Sequence, residues 1–258
     1  MKTIILCGGQ GARIRQETVS KPKPLIEVGG MPILLHIMRR YAMYGHKDFV
    51  LALGYKGRSI KDYFLNYQFM ANDFTVKLGD GSIDVHTGGP ESDWTVTLAD
   101  TGEAALKGAR IARVAKYLGD DERFMVTYGD GVANVDVDAL VRYHEASGKI
   151  GTFTGVHMPS RFGSVRTDGE GAVLNWTEKP VLDEYINGGF FVFERAFLEY
   201  LSDDEGCDLE REPLERLAAD GELSMYPHEG SWHCLDTYRD MVYLNELWGS
   251  GQADWGSP

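Results

Sequence analysis

The sequence predicts an α/β fold: a Rossmann-like, mostly parallel mixed sheet flanked by helices, with a β-hairpin insertion. Short apolar runs alternate with segments whose apolar residues recur at helical spacing, which is typical of a parallel sheet covered by helices. From about residue 72 to residue 100 the pattern changes to alternating strands around Asp80-Gly81, a hairpin turn motif. We therefore expect residues 1–258 to form one domain with a β-rich insertion at about 72–100.

The first half of the chain justifies these elements in order. Residues 3–7 are a short apolar run closed by glycine, which predicts a buried strand. Residues 32–44 carry apolar side chains at helical spacing and end before Gly45, so a helix is predicted there. A second apolar strand follows at 48–54 and a second helix at 56–67. Alternating strands are predicted at 74–78, 82–86 and 94–99.

The second half returns to the α/β alternation. Apolar periodicity predicts helices at 110–118, 137–146, 195–202, 211–220 and 238–248. Apolar runs predict strands at 124–128, 152–157 and from 187 onward, and a strand pair around a glycine-rich turn at 162–167 and 172–180.

Composition limits the class of function. The net charge is −13, with 26 Lys and Arg against 39 Asp and Glu, which argues against a nucleic-acid or anionic-membrane binder. Cys7, Cys207 and Cys234 lack metal-ligand spacing and are expected to be reduced thiols. The N-terminal apolar run is too short for a signal peptide and no stretch is long enough to span a membrane, so a cytoplasmic protein is expected.

The segment that follows the first strand predicts an anion site. Leu6-Cys7-Gly8-Gly9-Gln10-Gly11-Ala12-Arg13 leads into Lys21-Pro22-Lys23-Pro24, with Arg15 between them. Glycines allow the backbone N–H groups to approach an anion closely, and the cations beside them favour a polyphosphate. The pattern is neither a Walker A motif nor the dinucleotide-binding fingerprint. A tight strand-to-helix turn would explain the glycines but not the cations.

Two aspartates are candidate ligands for Mg²⁺. Asp130 lies between Gly129 and Gly131 at the end of a predicted central strand, where ligands bind in open α/β sheets. Mg²⁺ usually takes one or two carboxylates and completes its shell with water and substrate phosphates. Asp236 is the candidate second carboxylate, although Thr237 and Asp240 also resemble a capping box, in which case Asp236 merely precedes a helix.

Other charged motifs are weaker candidates. Glu178-Lys179 ends a predicted strand, so Lys179 is a candidate ligand for a substrate phosphate and Glu178 a candidate acceptor for hydroxyls, although such a pair is usually surface. Asp136 and Asp138 match the Asp-x-Asp metal motif of glycosyltransferases, but their place at a helix start is better explained by the helix dipole.

Together these motifs resemble the sugar-nucleotidyltransferase family over nearly the whole chain. The glycine and lysine motifs are followed, in the family's order, by Gly129-Asp130-Gly131, Glu178-Lys179-Pro180, Asn187-Gly188-Gly189 and Asp236-Thr237. The resemblance is strongest to the branch that uses CTP and glucose 1-phosphate. Ala12 departs from the pattern, because the family usually has Thr or Ser there.

The resemblance implies a role for each matched residue. Leu6 to Arg13 would surround the base and triphosphate of CTP, with Gly129 beside them and Arg13 on the phosphates. Lys23 would contact the α-phosphate, and Arg13, Lys23 and Asp130 would be catalytic. The remaining roles are the base and ribose pocket (Thr101, Gly102, Arg110), Mg²⁺ (Asp130, Asp236) and the sugar 1-phosphate (Gly163, Glu178, Lys179, Asn187). A homo-oligomer is also expected.

The implied chemistry agrees with the residue types present. A sugar 1-phosphate is already an anionic nucleophile, so its attack on CTP needs positioning and charge neutralisation and no general base. The alternatives are the same chemistry with another acceptor or another nucleotide, a nucleotide-sugar-dependent glycosyltransferase, and a non-catalytic nucleotide-sugar sensor.

Overall fold

The computed structural model describes residues 1–256, except 12, 13, 15–17, 19, 20, 87 and 161. In chain order its strands are β1 (Thr3–Cys7), β2 (Glu27–Val28), β3 (Met31–Pro32), β4 (Asp48–Leu53), β5 (Phe74–Val76), β6 (Ile83–Val85), β7 (Thr95–Asp100), β8 (Arg123–Tyr128), β9 (Gly131–Ala133), β10 (Gly151–Pro159), β11 (Ser164–Thr167), β12 (Val173–Thr177), β13 (Val181–Asn187), β14 (Phe191–Glu194), β15 (Leu223–His228) and β16 (Trp232–Cys234). The α-helices are α1 (Ile33–Ala42), α2 (Gly57–Leu65), α3 (Tyr67–Ala71), α4 (Lys107–Val114), α5 (Val137–Ser147), α6 (Glu212–Ala219) and α7 (Tyr238–Gly249). Short 3₁₀ helices span Lys23–Leu25, Ala115–Tyr117, Arg195–Tyr200 and Asp254–Gly256.

The main sheet is mixed, which confirms the predicted fold class. Strand β1 lies between β4 and β8 and is parallel to both, and β7 extends this parallel part beyond β4. Strand β14 joins the other side of β8 in antiparallel orientation. Strand β10 pairs with β14 and β13 in antiparallel orientation and with β15 in parallel. The carboxyl ends of β1, β4, β7 and β8 therefore lie at one edge of the sheet.

Both faces of this sheet are covered, which explains why β1 is apolar at every position but the first. Ile4 and Leu6 pack in one core cluster with residues of α4 and α6, while Ile5 and Cys7 pack in a second cluster with α1. Successive side chains of a strand point to opposite faces, so a strand covered on both sides needs an unbroken apolar run.

The predicted insertion extends less far than expected. Strands β5 and β6 form a separate antiparallel hairpin with exposed apolar side chains. Strand β7, which the sequence placed inside the insertion, instead pairs with β4 over its whole length. The end near residue 100 was therefore wrong, because pairing with a strand about 50 residues away cannot be read from local alternation. The prediction of one domain over residues 1–258 stays a prediction.

The structure also answers two local alternatives. Asp136 caps α5 by accepting a hydrogen bond from the Ala139 N–H, so the Asp-x-Asp motif is a helix start, as expected. Thr237 and Asp240 form a complete capping box at the start of α7. No helix in the described part of the chain is long and apolar enough to cross a membrane.

Candidate active site

The glycine turn after β1 is packed against a buried arginine. Arg110 on α4 is 4% exposed, and its Nη2 donates to the carbonyl oxygen of Gly8 at 3.1 Å. A Cβ atom on Gly8 would overlap the guanidinium of Arg110, whereas a Cβ on Gly9 would meet nothing within 4 Å. Gly8 therefore allows close packing against a buried guanidinium that is held by further hydrogen bonds to the segment after β7.

Arg110 also holds the segment that follows β7. Its Nη1 donates to Thr101 Oγ1 at 2.6 Å and to the Gly102 carbonyl at 2.8 Å. The structure thus brings Thr101, Gly102 and Arg110 together, although of these only Arg110 lines a cavity, and their role around the base and ribose stays a prediction. The Thr101 hydroxyl is buried and donates to the Leu53 carbonyl at 2.6 Å, so Thr101 connects Arg110 to the end of β4.

Three charged groups from distant parts of the chain meet beside this turn. Lys23 Nζ lies 2.5 Å from Asp130 Oδ2 and 2.6 Å from Asp236 Oδ1. The Lys23 side chain is only 12% exposed, whereas those of Asp130 and Asp236 are 28% and 25% exposed. Burial alone would lower the pKa of Lys23, but the charge of Asp130 and hydrogen bonds to both aspartates raise it above its ordinary value. The ammonium group therefore stays charged between the two carboxylates.

Local structure explains why these groups converge. Lys23 begins a 3₁₀ turn between Pro22 and Pro24, and Pro22 is extended. Asp130 follows β8, and the Leu235 N–H donates to its carbonyl at 2.8 Å. Pairing of β9 with β16 places Gly131 opposite Cys234. Asp130, just before β9, therefore lies beside Leu235, just after β16 and next to Asp236. Asp236 is thus fixed on one side by this pairing and on the other by the capping box of α7.

The two aspartates and Cys234 are a candidate metal centre. One ligand atom from each of the three residues lies within 4.8 Å of the others. Burial, followed by the charge of Asp130, raises the pKa of the Cys234 thiol, so the thiol stays protonated and the oxygen ligands of this centre come from the two aspartates. Carboxylate oxygens suit hard cations such as Mg²⁺.

Two adjoining cavities meet at this charged group. The first is about 370 Å³ and its wall includes Leu6, Cys7, Gly8, Gly9, Gln10, Lys23, Arg110, Gly129 and Asp130. The second is about 440 Å³ and its wall includes Asp130, Asn187, Glu210, Trp232, Cys234 and Asp236. Lys107, Tyr128 and Asp130 line both. The site therefore offers two binding spaces with cations and carboxylates at their junction.

Comparison with known proteins identifies the family. A family model described as nucleotidyl transferase matches residues 2–246. This chain belongs to the nucleotidyltransferase family. It is 46% identical over 256 residues to a glucose-1-phosphate cytidylyltransferase of Salmonella typhi, covering 99% of this chain and 98% of that relative.

A more distant relative and a solved structure are also similar to this chain. A mannose-1-phosphate guanylyltransferase of Mycobacterium tuberculosis is 31% identical over 93% of this chain and 62% of its own length. The crystal structure of HddC from Yersinia pseudotuberculosis superposes with a TM-score of 0.67 at 20% sequence identity, covering 96% of this chain and 99% of that one.

The structure of this nucleotidyltransferase does not bring every candidate residue to the cavities. Asn187 lines the second cavity. Gly163, Glu178 and Lys179 lie on or beside the hairpin of β11 and β12, with the side chains of Glu178 and Lys179 exposed and outside both cavity walls. Ala12 and Arg13 lie outside the described residues, and Gly11 lies beside Thr18 and Lys23 without lining either cavity. The roles of these residues stay predictions.

Sequence reasoning missed several polar residues of the cavity walls, among them Lys107, Tyr128 and Glu210. Tyr128 ends β8 immediately before Gly129-Asp130, so its strand-end position was a usable signal. Lys107 begins α4 and Glu210 lies in a loop before α6, and neither belongs to a motif.

Proposed function

We propose that this chain transfers the cytidylyl group of CTP to a sugar 1-phosphate, with α-D-glucose 1-phosphate as the acceptor, and forms CDP-glucose and pyrophosphate. The observation that carries the proposal is Lys23 held between Asp130 and Asp236 at the junction of two cavities. The choice of base and sugar is supported by the relative of the same length, a glucose-1-phosphate cytidylyltransferase.

The first cavity suits the nucleotide. Its wall includes the turn at Gly8 and Gly9, of which Gly9 is exposed, and the Lys23 side chain. Backbone N–H groups and a fixed cation bind phosphate oxygens, so we place the triphosphate here and the base toward Arg110. Arg13, which the family resemblance places on the phosphates, belongs to the same proposal.

The donor set at the junction fits Mg²⁺. Asp130 and Asp236 each direct a carboxylate oxygen at Lys23 Nζ, at 2.5 and 2.6 Å. The two carboxylates are therefore already arranged around a positive charge. We propose that Asp130 and Asp236 hold Mg²⁺ together with substrate phosphates. When bound, this ion would neutralise phosphate charge during transfer.

The reaction needs no general base from the protein. A phosphate oxygen of the sugar 1-phosphate attacks the α-phosphorus of CTP; the new O–P bond forms while the bond from that phosphorus to the pyrophosphate oxygen breaks. The barrier comes from repulsion between two anions and from their alignment. The fixed Lys23 ammonium reduces that repulsion, and the adjoining cavities hold the two substrates with their phosphates close together.

The second cavity suits the acceptor. Asn187 lies in its wall, and we propose that Gly163, Glu178 and Lys179 act on the sugar phosphate too, as the family resemblance implies. Gly163 and Glu178 already lie side by side, because a Cβ atom on Gly163 would be 3.0 Å from Glu178 Oε2.

A coupled pyrophosphate assay tests the proposed function. The purified chain would be incubated with each of CTP, UTP, dTTP, ATP and GTP and several sugar 1-phosphates. We expect rapid release with CTP and glucose 1-phosphate that requires a divalent cation. Lys23→Ala and Asp130→Ala should nearly abolish turnover while the fold, followed by circular dichroism, is retained. Normal CDP-glucose formation by either variant, or no pyrophosphate from any pair of substrates, would contradict the proposal.

We also propose that the chain forms a homo-oligomer. Support comes from apolar side chains that remain exposed on the strand pairs outside the main sheet, including Phe74, Ile83, Val173 and Trp176. Light scattering during size-exclusion chromatography should give a mass that is a multiple of 28.7 kDa. A single-chain mass at micromolar concentration would contradict this expectation.

A further inference from the structure

A directed row of hydrogen bonds runs through the wall between the two cavities. Asn187 Nδ2 donates to the Tyr128 hydroxyl at 2.9 Å, and that hydroxyl donates to Glu210 Oε1 at 2.6 Å. Lys107 Nζ lies 2.8 Å from Glu210 Oε2. The Gly189 N–H donates to Asn187 Oδ1, which fixes the orientation of the amide. Every donor in the row is thus directed toward the Glu210 carboxylate.

Tyr128 cannot reverse this direction. An amide nitrogen can only donate, so the phenol oxygen accepts from Asn187 Nδ2 and its single proton is left for Glu210 Oε1. A carboxylate donates no hydrogen bond and has room to accept about four. Tyr128 donates to Oε1 and Lys107 pairs with the buried Oε2, so Oε1 keeps acceptor capacity on a side chain that is 32% exposed in the cavity wall.

Glu210 differs from the other carboxylates of the second cavity. Within the described part of the chain, that wall contains three carboxylates: Asp130, Asp236 and Glu210. The first two bind Lys23 and form the candidate metal centre. Glu210 pairs with Lys107 instead, and the Lys107 ammonium also pairs with Asp208, whose Oδ1 lies 3.0 Å from Nζ. The carboxylate that remains for an organic ligand is therefore that of Glu210.

The second cavity also presents the apolar surface that a sugar ring needs. Trp232 Nε1 donates to the Gly188 carbonyl at 2.7 Å, which holds the indole in the cavity wall. Sugar rings carry hydroxyl donors around their edge and C–H groups on their faces. A fixed acceptor together with a fixed aromatic ring matches both features.

We propose that Glu210 selects the acceptor by accepting hydrogen bonds from ring hydroxyls of the sugar 1-phosphate, and that Tyr128 and Lys107 hold it in position for this role. This inference rests on the proposed function and extends it from the phosphate to the sugar. A site built to bind a hydroxyl discriminates strongly against an analogue that lacks it, because the protein group is then left without its partner.

The test compares glucose 1-phosphate with its 2-, 3-, 4- and 6-deoxy analogues at saturating CTP. With the wild-type protein we expect kcat/KM to fall roughly 10- to 150-fold for at least one analogue, the loss typical of a missing hydrogen bond to a charged partner. Glu210→Met, of similar length but without an acceptor, should lose a similar factor on glucose 1-phosphate and show no further loss on that analogue. Its KM for CTP should stay within about twofold of the wild-type value. Glu210→Gln, a smaller perturbation of the wall, provides a second variant with a partial loss of the same discrimination.

Glu212→Met is the matched control. It makes the same substitution two residues away, on an exposed carboxylate that pairs with Arg216 at 3.6 Å outside the wall of the second cavity, so the wild-type discrimination should persist. Unchanged discrimination in Glu210→Met, equal losses on all sugars in that variant, or loss of discrimination in Glu212→Met would overturn the inference. No pyrophosphate release by the wild-type protein with any sugar 1-phosphate would instead refute the proposed function itself.

Discussion

Replacing Lys23 with methionine should destabilise the protein and make its stability depend on Mg²⁺. The change removes the ammonium that lies 2.5 Å from Asp130 and 2.6 Å from Asp236, and it leaves a side chain of similar length. The two carboxylates then face one another with oxygen atoms less than 4.8 Å apart.

The size of the effect follows from burial and charge. Breaking a fully buried ion pair costs about 3–5 kcal/mol. Here both carboxylates keep about a quarter of their surface in water, which weakens the interaction. We therefore expect the free energy of unfolding to fall by about 1–3 kcal/mol in the absence of divalent cations.

Mg²⁺ should reverse part of this loss. A divalent cation bound to the carboxylates replaces the missing positive charge, and a ligand at ten times its dissociation constant stabilises the folded state by about 1.4 kcal/mol. In the wild-type protein without nucleotide, Lys23 competes for the same oxygens, so the same addition should have a smaller effect.

Urea denaturation in EDTA and in 10 mM MgCl₂ measures both quantities. The control is Lys21→Met, which makes the same substitution two residues away, where the lysine pairs with exposed Glu27 at 2.9 Å. That variant should change by less than about 0.5 kcal/mol, with no dependence on Mg²⁺. Equal stability of Lys23→Met and wild type in EDTA, or the same Mg²⁺ effect in both, would refute the reasoning.

Three further predictions test the supports of the site. Gly8→Ala should lower the free energy of unfolding by about 2 kcal/mol or more and raise KM for CTP, because the added Cβ overlaps the buried Arg110. Gly9→Ala should change stability by less than about 1 kcal/mol, and equal effects of the two variants in denaturant titrations would contradict the packing argument. Burial outweighs the contact with Glu194 and lowers the pKa of His144, so the unfolded chain binds a proton more readily than the folded one. Stability should therefore fall as pH drops below about 7, by up to about 1.4 kcal/mol per pH unit for each such histidine. His144→Gln should flatten this slope in urea titrations from pH 5.5 to 8, and an unchanged slope would count against the argument. Thr237→Ala removes half of the capping box of α7 and should cost about 1 kcal/mol, measured by thermal unfolding, and no change in melting temperature would show that the box does not stabilise the helix.

Much of the fold could be predicted because its cause is local. Strand β1 is read from an unbroken apolar run, and α5 from apolar periodicity behind an acidic cap. The strand predicted at 94–99 is observed as β7, but its place in the main sheet was missed, because membership of a sheet depends on a partner strand, here β4, that lies elsewhere in the chain. The same limit applies to the site: glycines and neighbouring cations show in the sequence, whereas the isolated Glu210 does not.

The sequence by itself determined which local features the site contains: a glycine turn at a strand end, a stiff Lys-Pro-Lys-Pro segment, and single aspartates after strands or before helices. Backbone conformation and charge depend on neighbouring residues, so these features can be predicted along the chain. Only the tertiary structure decided how they combine. Lys23 is separated from Asp130 by 107 residues and from Asp236 by 213, and sheet pairing and the cap of α7 bring their charges into contact. The reason is physical: convergence of side chains depends on long-range packing, which short sequence patterns do not encode.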